Sequence, residues 1–429
     1  MTGPVEVGER VRALVAAGER LRARRLEEVL EVVAEACRLW RGPGPDREAG
    51  EHALAAHYGV PRPAIAEILD AGFGSWTVGS LRDWVAGELG DPTVMDGFVP
   101  IGGAERRTFG PRLAVFLAAH GVPTSPVADL ISALCVKSSA WLKPATGADD
   151  LARRFVRTLS EIDAGIAAAL LVEEWGKGEA DGELILGAAD VLVATGGAET
   201  MLAIQRKVSV ETRLVLHGPR TSAAIVLREA LDADSGAVIA ALARDTAFAG
   251  QMGCLSPVVA YVEASPRQVA DLVEPLHAAC VQRWPSAPRA QATLAERAAF
   301  AEWRSTAGVE AASERGSWRG DVDSAWTVVA RRKAGPPDPP PVPRMLTLNP
   351  LEDIVDAVDL LAARRDTIAA VGMSGPADRV TDLAGSLAEV GVERICPLGR
   401  MQCPPAAWRR DGRTTLTDLV RWVDRESGR

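Results

Sequence analysis

The chain has 429 residues, 47% of them hydrophobic and 24% charged, which is material for a sizeable core spread over two or three domains or one large two-lobed enzyme. With 48 Lys and Arg against 57 Asp and Glu, the net charge of -9 argues against a nucleic-acid scaffold and against a polybasic membrane binder. Six cysteines at irregular spacing, with no C-x-x-C pair, form neither a disulfide framework nor a zinc motif, so no metal is expected.

The first 25 residues carry charges every few positions and no continuous apolar run. The longest apolar stretch, 164–172, is far shorter than the roughly 20 residues that a membrane span requires. These features predict a cytoplasmic protein with reduced thiols and no membrane span.

Residues 1–94 read as a helical region. In 26–40 the apolar side chains fall at 26, 29, 30, 33, 36, 37 and 40, one face of a helix. Further helices are predicted at 60–72 and 78–90, each ended by Gly. From 95 to 229 strands and helices alternate: a strand in 111–121, a helix at 125–133 and a short strand at 134–137. A helix at 147–163, a strand at 189–195, a helix at 198–208 and a strand at 212–218 follow. Repeated strand–helix–strand units imply a parallel sheet with helices on both faces.

A second unit is predicted over 230–400, with helices at 235–248 and 265–284 and strands at 255–263 and 324–332. Residues 335–343 hold six prolines in nine positions and predict a stiff connector. A strand at 344–348, a helix at 350–363, a strand at 367–373, a helix at 376–389 and a strand at 393–399 complete that unit. Residues 401–429 form a return segment that ends in an amphipathic helix at 414–426.

Four places carry candidate chemistry. Thr195, Gly196 and Gly197 lie between a strand and a helix, where backbone N–H groups approach a phosphate or nicotinamide closely; the same residues also suit an ordinary tight turn. Lys137 is one of only five lysines beside 43 arginines; at a strand end it is either a contact to ribose or phosphate or a solvated rim lysine. Lys143 precedes a proline nearby. Cys254 follows Gly253 on a loop between a helix and a strand, as either a nucleophile or a small packing residue. Cys37, Cys135 and Cys280 lie on apolar faces and read as core; Cys396 and Cys403 stay open. His217 ends a strand before Gly218-Pro219 and is either structural or in contact with the reacting group.

In this order, strand-end lysine, Gly-rich turn, strand ending at Gly218 and Cys loop, the chain resembles the aldehyde dehydrogenase superfamily. More closely it resembles the acyl-CoA reductases typified by the fatty-acid reductase of bacterial luminescence. The segments that carry the resemblance are DTAFAGQMGCLSPVVAYVE (245–263) and RICPLGRMQCPPAAWRRDGRTTLTDLVRWVDRE (394–426), the latter with Trp408 and Asp411-Gly412. The resemblance covers 95–426. It implies an aldehyde dehydrogenase-like α/β fold, with a Rossmann-like cofactor domain, a catalytic domain bearing Cys254 and an oligomerisation element, hence a homo-oligomer.

It also implies a reaction. Cys254 takes the acyl group of an acyl-CoA or acyl-carrier thioester, and NADPH, with NADH as the other option, reduces it to an aldehyde. Thr195, Gly196 and Gly197 would lie along the cofactor, Lys137 near its adenosine ribose, and His217 would polarise the carbonyl or handle the thiol proton.

The sequence departs from the superfamily at three points. The Glu that activates a hydrolytic water is absent from His217-Gly218-Pro219, as suits a reductase that must not hydrolyse its thioester. The E-x-F-G-P cofactor motif is absent; the proline-rich 334–341 stands in that neighbourhood. The loop His120–Ser125 has no Asn for the oxyanion hole, a donor worth ~3 kcal/mol in comparable sites, which leaves the Cys254 N–H, Thr124 or Ser125 to serve. Two other readings stand beside the reductase: an acyltransferase or thioesterase on the same fold, and a degenerate homologue that assembles with an acyl-activating enzyme.

Overall fold

The computed structural model describes residues 4–145, 150–175, 180–285, 294–314, 317–319, 325–338, 340 and 342–426. The chain forms two compact units. One comprises Met1–Leu54, Glu67–Pro219 and Pro405–Arg429; the other comprises Ala55–Ala66 and Arg220–Pro404.

In the first unit, helices Pro4–Arg22, Leu26–Arg41 and Val78–Leu89 come from the region that reads as helical. The predicted face of the second is the buried one, from Leu26 and Val29 through to Cys37 and Trp40. Trp40 stacks on Phe73 with ring centroids 5.4 Å apart, and its indole N–H donates to Thr158 Oγ1 at 3.2 Å.

The sheet of this unit has five parallel strands among the described residues, in the order Leu170–Val172, Ser139–Lys143, Leu113–Leu117, Val191–Thr195 and Arg213–His217. Its central strands are almost entirely buried because helices cover both faces, so they read as continuous apolar runs with no alternation. Leu113, Val115, Trp141, Leu192 and Ala194 share one core with Ile185, Met201, Ile204 and, from the first helix, Val7 and Leu14. The register puts Leu117 opposite Lys143 and Thr195 opposite His217, so those ends form one C-terminal rim.

A separate antiparallel sheet joins Val99–Ile101 to Ala104–Phe109 and the latter to Arg421–Arg425. The predicted helix at 414–426 is therefore corrected. Only Leu416–Leu419 is helical, and Arg421–Arg425 is an edge strand with Trp422 opposite Thr108. The predicted strand at 134–137 is corrected too. The helix Ser125–Cys135 runs through it, and the strand begins at Ser139.

The second unit has a seven-stranded sheet among the described residues. Its order is Ser317–Arg319, Thr327–Ala330, Met345–Leu351, Pro257–Glu263, Thr221–Val226, Ile368–Ser374 and Ile395–Pro397, with only the first pairing antiparallel. Ile225, Tyr261, Ile354, Leu361, Val371 and Leu387 fill its core. The strand Thr221–Val226 is not predicted by the sequence reading. The predicted helix at 265–284 divides at Leu272, and that at 350–363 begins only at Asp356. Positions 147–149 of the predicted 147–163 helix, and 339 and 341 of the proline-rich connector, lie outside the described residues.

Candidate active site

Three side chains end strands at the rim of the five-stranded sheet, Lys143, Thr195 and His217, and Asp129 joins the last of them from the helix Ser125–Cys135. At Thr195 the chain leaves the strand, and the Gly196 N–H donates to His217 O at 3.1 Å, carrying the ladder one residue past the strand. Gly197 is the N-cap of helix Ala198–Gln205, and no side chain caps it. A Cβ placed on Gly197 would stand in open space. The start of that helix therefore carries no side-chain cap from Gly197 and leaves room beside it, a fit for the phosphates of a dinucleotide.

His217 is nearly buried, and its Nδ1 lies 2.6 Å from Asp411 Oδ2. Arg410, the preceding residue, donates from Nη2 to Thr195 Oγ1 at 3.1 Å. Asp129, on helix Ser125–Cys135, lies within electrostatic reach of Arg410 and His217; burial raises its carboxyl above the usual range, against the opposing pull of Arg410.

Lys137 does not belong to this rim, which corrects the expected role. It follows the helix Ser125–Cys135 and precedes the strand Ser139–Lys143, so it stands at the opposite end of the sheet. It is 1% exposed, and its Nζ donates to Asp96 Oδ1 at 2.5 Å, Arg24 O at 3.0 Å and Arg22 O at 3.3 Å. Lys143 occupies the strand end that was expected of Lys137, with its Nζ 5.7 Å from the ring centroid of Trp175. The signal for it was present: a lysine after the apolar run SAWL and before Pro144. Thr124 is buried with its side chain packed against Gly72, where an added Cβ would come within 2.4 Å of it.

The second unit holds Cys254. Ala249, Gly250 and Gln251 all have positive φ, at 49°, 63° and 65°, a run that L side chains rarely adopt and that turns the chain sharply before the cysteine. The Gln251 side chain holds the turn. Its Nε2 donates to Pro257 O at 2.9 Å and Met345 O at 2.8 Å, and its Oε1 accepts from the Met345 N–H at 2.8 Å. Beyond it, Cys254 O accepts from Ser222 Oγ at 2.6 Å, and the Ser256 N–H donates to Gly253 O.

Burial raises the thiols of Cys37 and Cys135 far above their ordinary value, that of Cys280 up to about 12 and that of Cys396 up to about 11. Cys254, on its loop, is half-buried, as is Cys396, and Cys403 is exposed.

Asp245, fully buried on the helix Arg228–Ala247, ties this loop to the segment 398–402. It accepts the N–H groups of Gly399 and Met401, while Gln402 Nε2 donates to Asp245 O at 2.9 Å and to Ser256 Oγ at 3.2 Å. Burial pushes its carboxyl up to about 6, against the two backbone donors. The folded state then holds this proton more tightly than the unfolded chain, so Asp245's contribution is fully present at acid pH and lost as pH rises from about 4 to about 6. The loss is on the order of 3 kcal/mol. In urea titrations at pH 4 and pH 7.5, Asp245→Asn should gain stability relative to wild type at the higher pH. Parallel pH dependence of the two proteins would contradict it.

Among the described residues no cluster of His, Cys, Asp and Glu suits a metal ion, and no helix is long and apolar enough to cross a membrane.

The fold is that of the aldehyde dehydrogenases. An NADP dependent enzyme of E. coli superposes with a TM-score of 0.71 at 15% identity, covering 99% of this chain and 90% of that chain. An NAD-dependent benzaldehyde dehydrogenase from Corynebacterium glutamicum superposes at 0.67 and 14% identity, over 99% of this chain and 91% of that chain. Within that class the chain belongs to the acyl-CoA reductase (LuxC) family, whose model it matches over residues 21–422. It is similar to the long-chain acyl-protein thioester reductase 2 of Photobacterium leiognathi, 22% identical over 81% of this chain and 71% of that protein. The long-chain acyl-protein thioester reductase of Aliivibrio fischeri is 24% identical over the same shares.

Proposed function

We propose that this chain reduces an acyl thioester to an aldehyde through an acyl group carried on Cys254, with NADPH as the reductant. The observation that carries the reading is the family match, and Cys254 suits the role as a half-buried cysteine on a loop braced by a left-handed turn and the Gln251 clamp. The Cys254 thiolate attacks the thioester carbonyl, the C–S bond to the carrier breaks, and the carrier leaves as a thiol. The bound nicotinamide supplies a hydride to the acyl carbon. Cys254 then departs from that carbon as thiolate and regains a proton, so one thioester, one reduced nicotinamide and one proton give one aldehyde, one oxidised nicotinamide and one thiol.

Thr195, Gly196 and Gly197 hold the cofactor at the rim, and Lys143 reaches its ribose or phosphate oxygens. His217-Gly218-Pro219 places no carboxylate where a hydrolytic water would be activated. The match supports reduction over the acyltransferase and assembly-partner readings. The names of the relatives make a long acyl chain on a protein carrier the first substrate to try, beside acyl-CoA.

The test is to incubate the protein with a labelled long-chain acyl thioester and locate the label by peptide mass. A thioester on Cys254, discharged as aldehyde when NADPH is added, is expected. A label elsewhere, or discharge as free acid, would sink the reading. Lys143→Ala should weaken NADPH binding about tenfold, the scale of one charged hydrogen bond, in a tryptophan-fluorescence titration. An unchanged Kd would remove Lys143 from the cofactor site.

A further inference from the structure

Arg410 belongs to none of the roles described so far. It is half-buried in the turn Arg410–Gly412, and its guanidinium makes one hydrogen bond among the described residues, from Nη2 to Thr195 Oγ1. No carboxylate of those residues lies within ion-pair distance of it. Other half-buried arginines of the first unit are neutralised: Arg10 by Glu173 at 2.7 Å, Arg24 by Asp163 at 2.6 Å and Arg154 by Asp150 at 2.6 Å. The two carboxyls nearest to Arg410 in the chain fold are spoken for. Asp411 is engaged by His217, and burial raises the carboxyl of Asp129, which makes it a poorer counter-ion. A guanidinium carries a permanent charge and several N–H donors, and here a single hydroxyl takes one of them. The remaining donors suit an anion.

The turn fixes Arg410 in place. Asp411 sits at φ 57°, ψ 31°, in the left-handed region, with Gly412 following at φ 67°, a conformation that persists where surrounding contacts hold it. The contact of Asp411 Oδ2 with His217 Nδ1, at 2.6 Å, is one such hold, and the contact of Arg410 with Thr195 is the other. Adjacent residues of one turn thus reach the ends of two neighbouring strands of the same sheet.

Thr195 stands just before Gly196-Gly197 and helix Ala198–Gln205, whose start has no side-chain cap and leaves room beside Gly197. Glu199, in the first turn, puts an exposed negative charge near that start, so a phosphate bound there needs a cation of its own. We propose that Arg410 supplies it and binds the pyrophosphate of the nicotinamide dinucleotide. The inference rests on the cofactor site proposed above. Lys143 ends a strand two places away, with Leu113–Leu117 between, on the order of 10 Å across the rim. That spacing suits two cations that bind different groups of one extended dinucleotide.

The test is a set of tryptophan-fluorescence titrations of the full chain with NADPH, NADH and ADP-ribose. All three carry the pyrophosphate, and only NADPH carries a 2′-phosphate. Arg410→Ala should weaken all three by a similar factor of about 30, the scale of a charge-assisted contact. Arg410→Lys keeps the charge without the planar fork and should lose only about fivefold. Wild type supplies a readout that needs no variant to fold. Modification of Arg410 by phenylglyoxal, mapped by peptide mass, should slow at least about fivefold under saturating ADP-ribose, the protection expected when the anion covers the guanidinium.

A loss confined to NADPH would move Arg410 to the 2′-phosphate. Unchanged affinities in Arg410→Ala, or modification of Arg410 that ADP-ribose leaves as fast as before, would remove it from the site. Each of these overturns the assignment and leaves the cofactor site at 195–197 standing. Wild type that binds none of the three ligands would overturn the parent reading, and this inference with it.

Discussion

Cys254→Ala is expected to abolish thioester reduction, with at least a ~1,000-fold fall in the rate of reduced-nicotinamide oxidation and no acyl adduct anywhere on the chain. The expectation follows from the environments of the six cysteines. Cys37, Cys135 and Cys280 are buried and Cys396 is half-buried, all four with thiols raised above their ordinary value, and a protonated sulfur is a poor nucleophile. Cys403 is exposed on the segment that follows Asp245's two backbone contacts, and it serves as the control. Cys403→Ala should keep full activity. The Cys254→Ala protein should still bind NADPH with wild-type affinity, because the glycine turn at 195–197 is untouched. Retention of more than a few per cent of wild-type turnover would show that the acyl group is carried elsewhere.

Lys137→Ala should cost stability and leave cofactor affinity unchanged. The ammonium is enclosed by Asp96 and by the carbonyls of Arg22 and Arg24, and Asp96 also accepts the Leu26 N–H at 3.0 Å. Lys137 thereby fixes the loop between the first two helices to the base of the sheet. Its own backbone is forced into φ 51°, and Gly110 packs so close to Val136 O that a Cβ there would lie 2.0 Å from it. Removing the cation leaves a carboxylate and two carbonyls without their donor, at a cost of about 3 kcal/mol, the low end for a broken buried pair because Asp96 is partly exposed. A unit of this size should then melt on the order of 10 °C lower. A ribose contact would behave the other way, weakening NADPH binding while the melting temperature held.

Lys137 and Lys143 also show how far the sequence can be read. The alternation of strands and helices, the turn at Thr195-Gly196-Gly197 and the Cys254 loop are local patterns, and they fold as the residues predict. The run LCVK is apolar on all sides because a helix end is buried on all sides, and periodicity cannot separate that from a short strand. The error moved the expected lysine from one end of the sheet to the other. The tail RWVDR suits either a helix face or a period of two, and its pairing with Ala104–Phe109 decides the matter. Thr221–Val226 escaped notice because Ser and Ala in its first half are weak strand formers, chosen by close packing in the middle of a sheet. The contact between His217 and Asp411 could not be inferred at all, since no local pattern links residues so far apart in the chain.

The return of residues 405–425 to the first unit sets an order on biosynthesis. As the ribosome delivers the chain from its N-terminus, the strands that end in Thr195 and His217 emerge long before the turn that supplies Arg410 and Asp411. Until then the Ala104–Phe109 strand has an unpaired edge, open to the wrong neighbour, and His217 has no carboxylate. A nascent or prematurely terminated chain that stops near residue 404 therefore carries the Cys254 thiol but an incomplete rim.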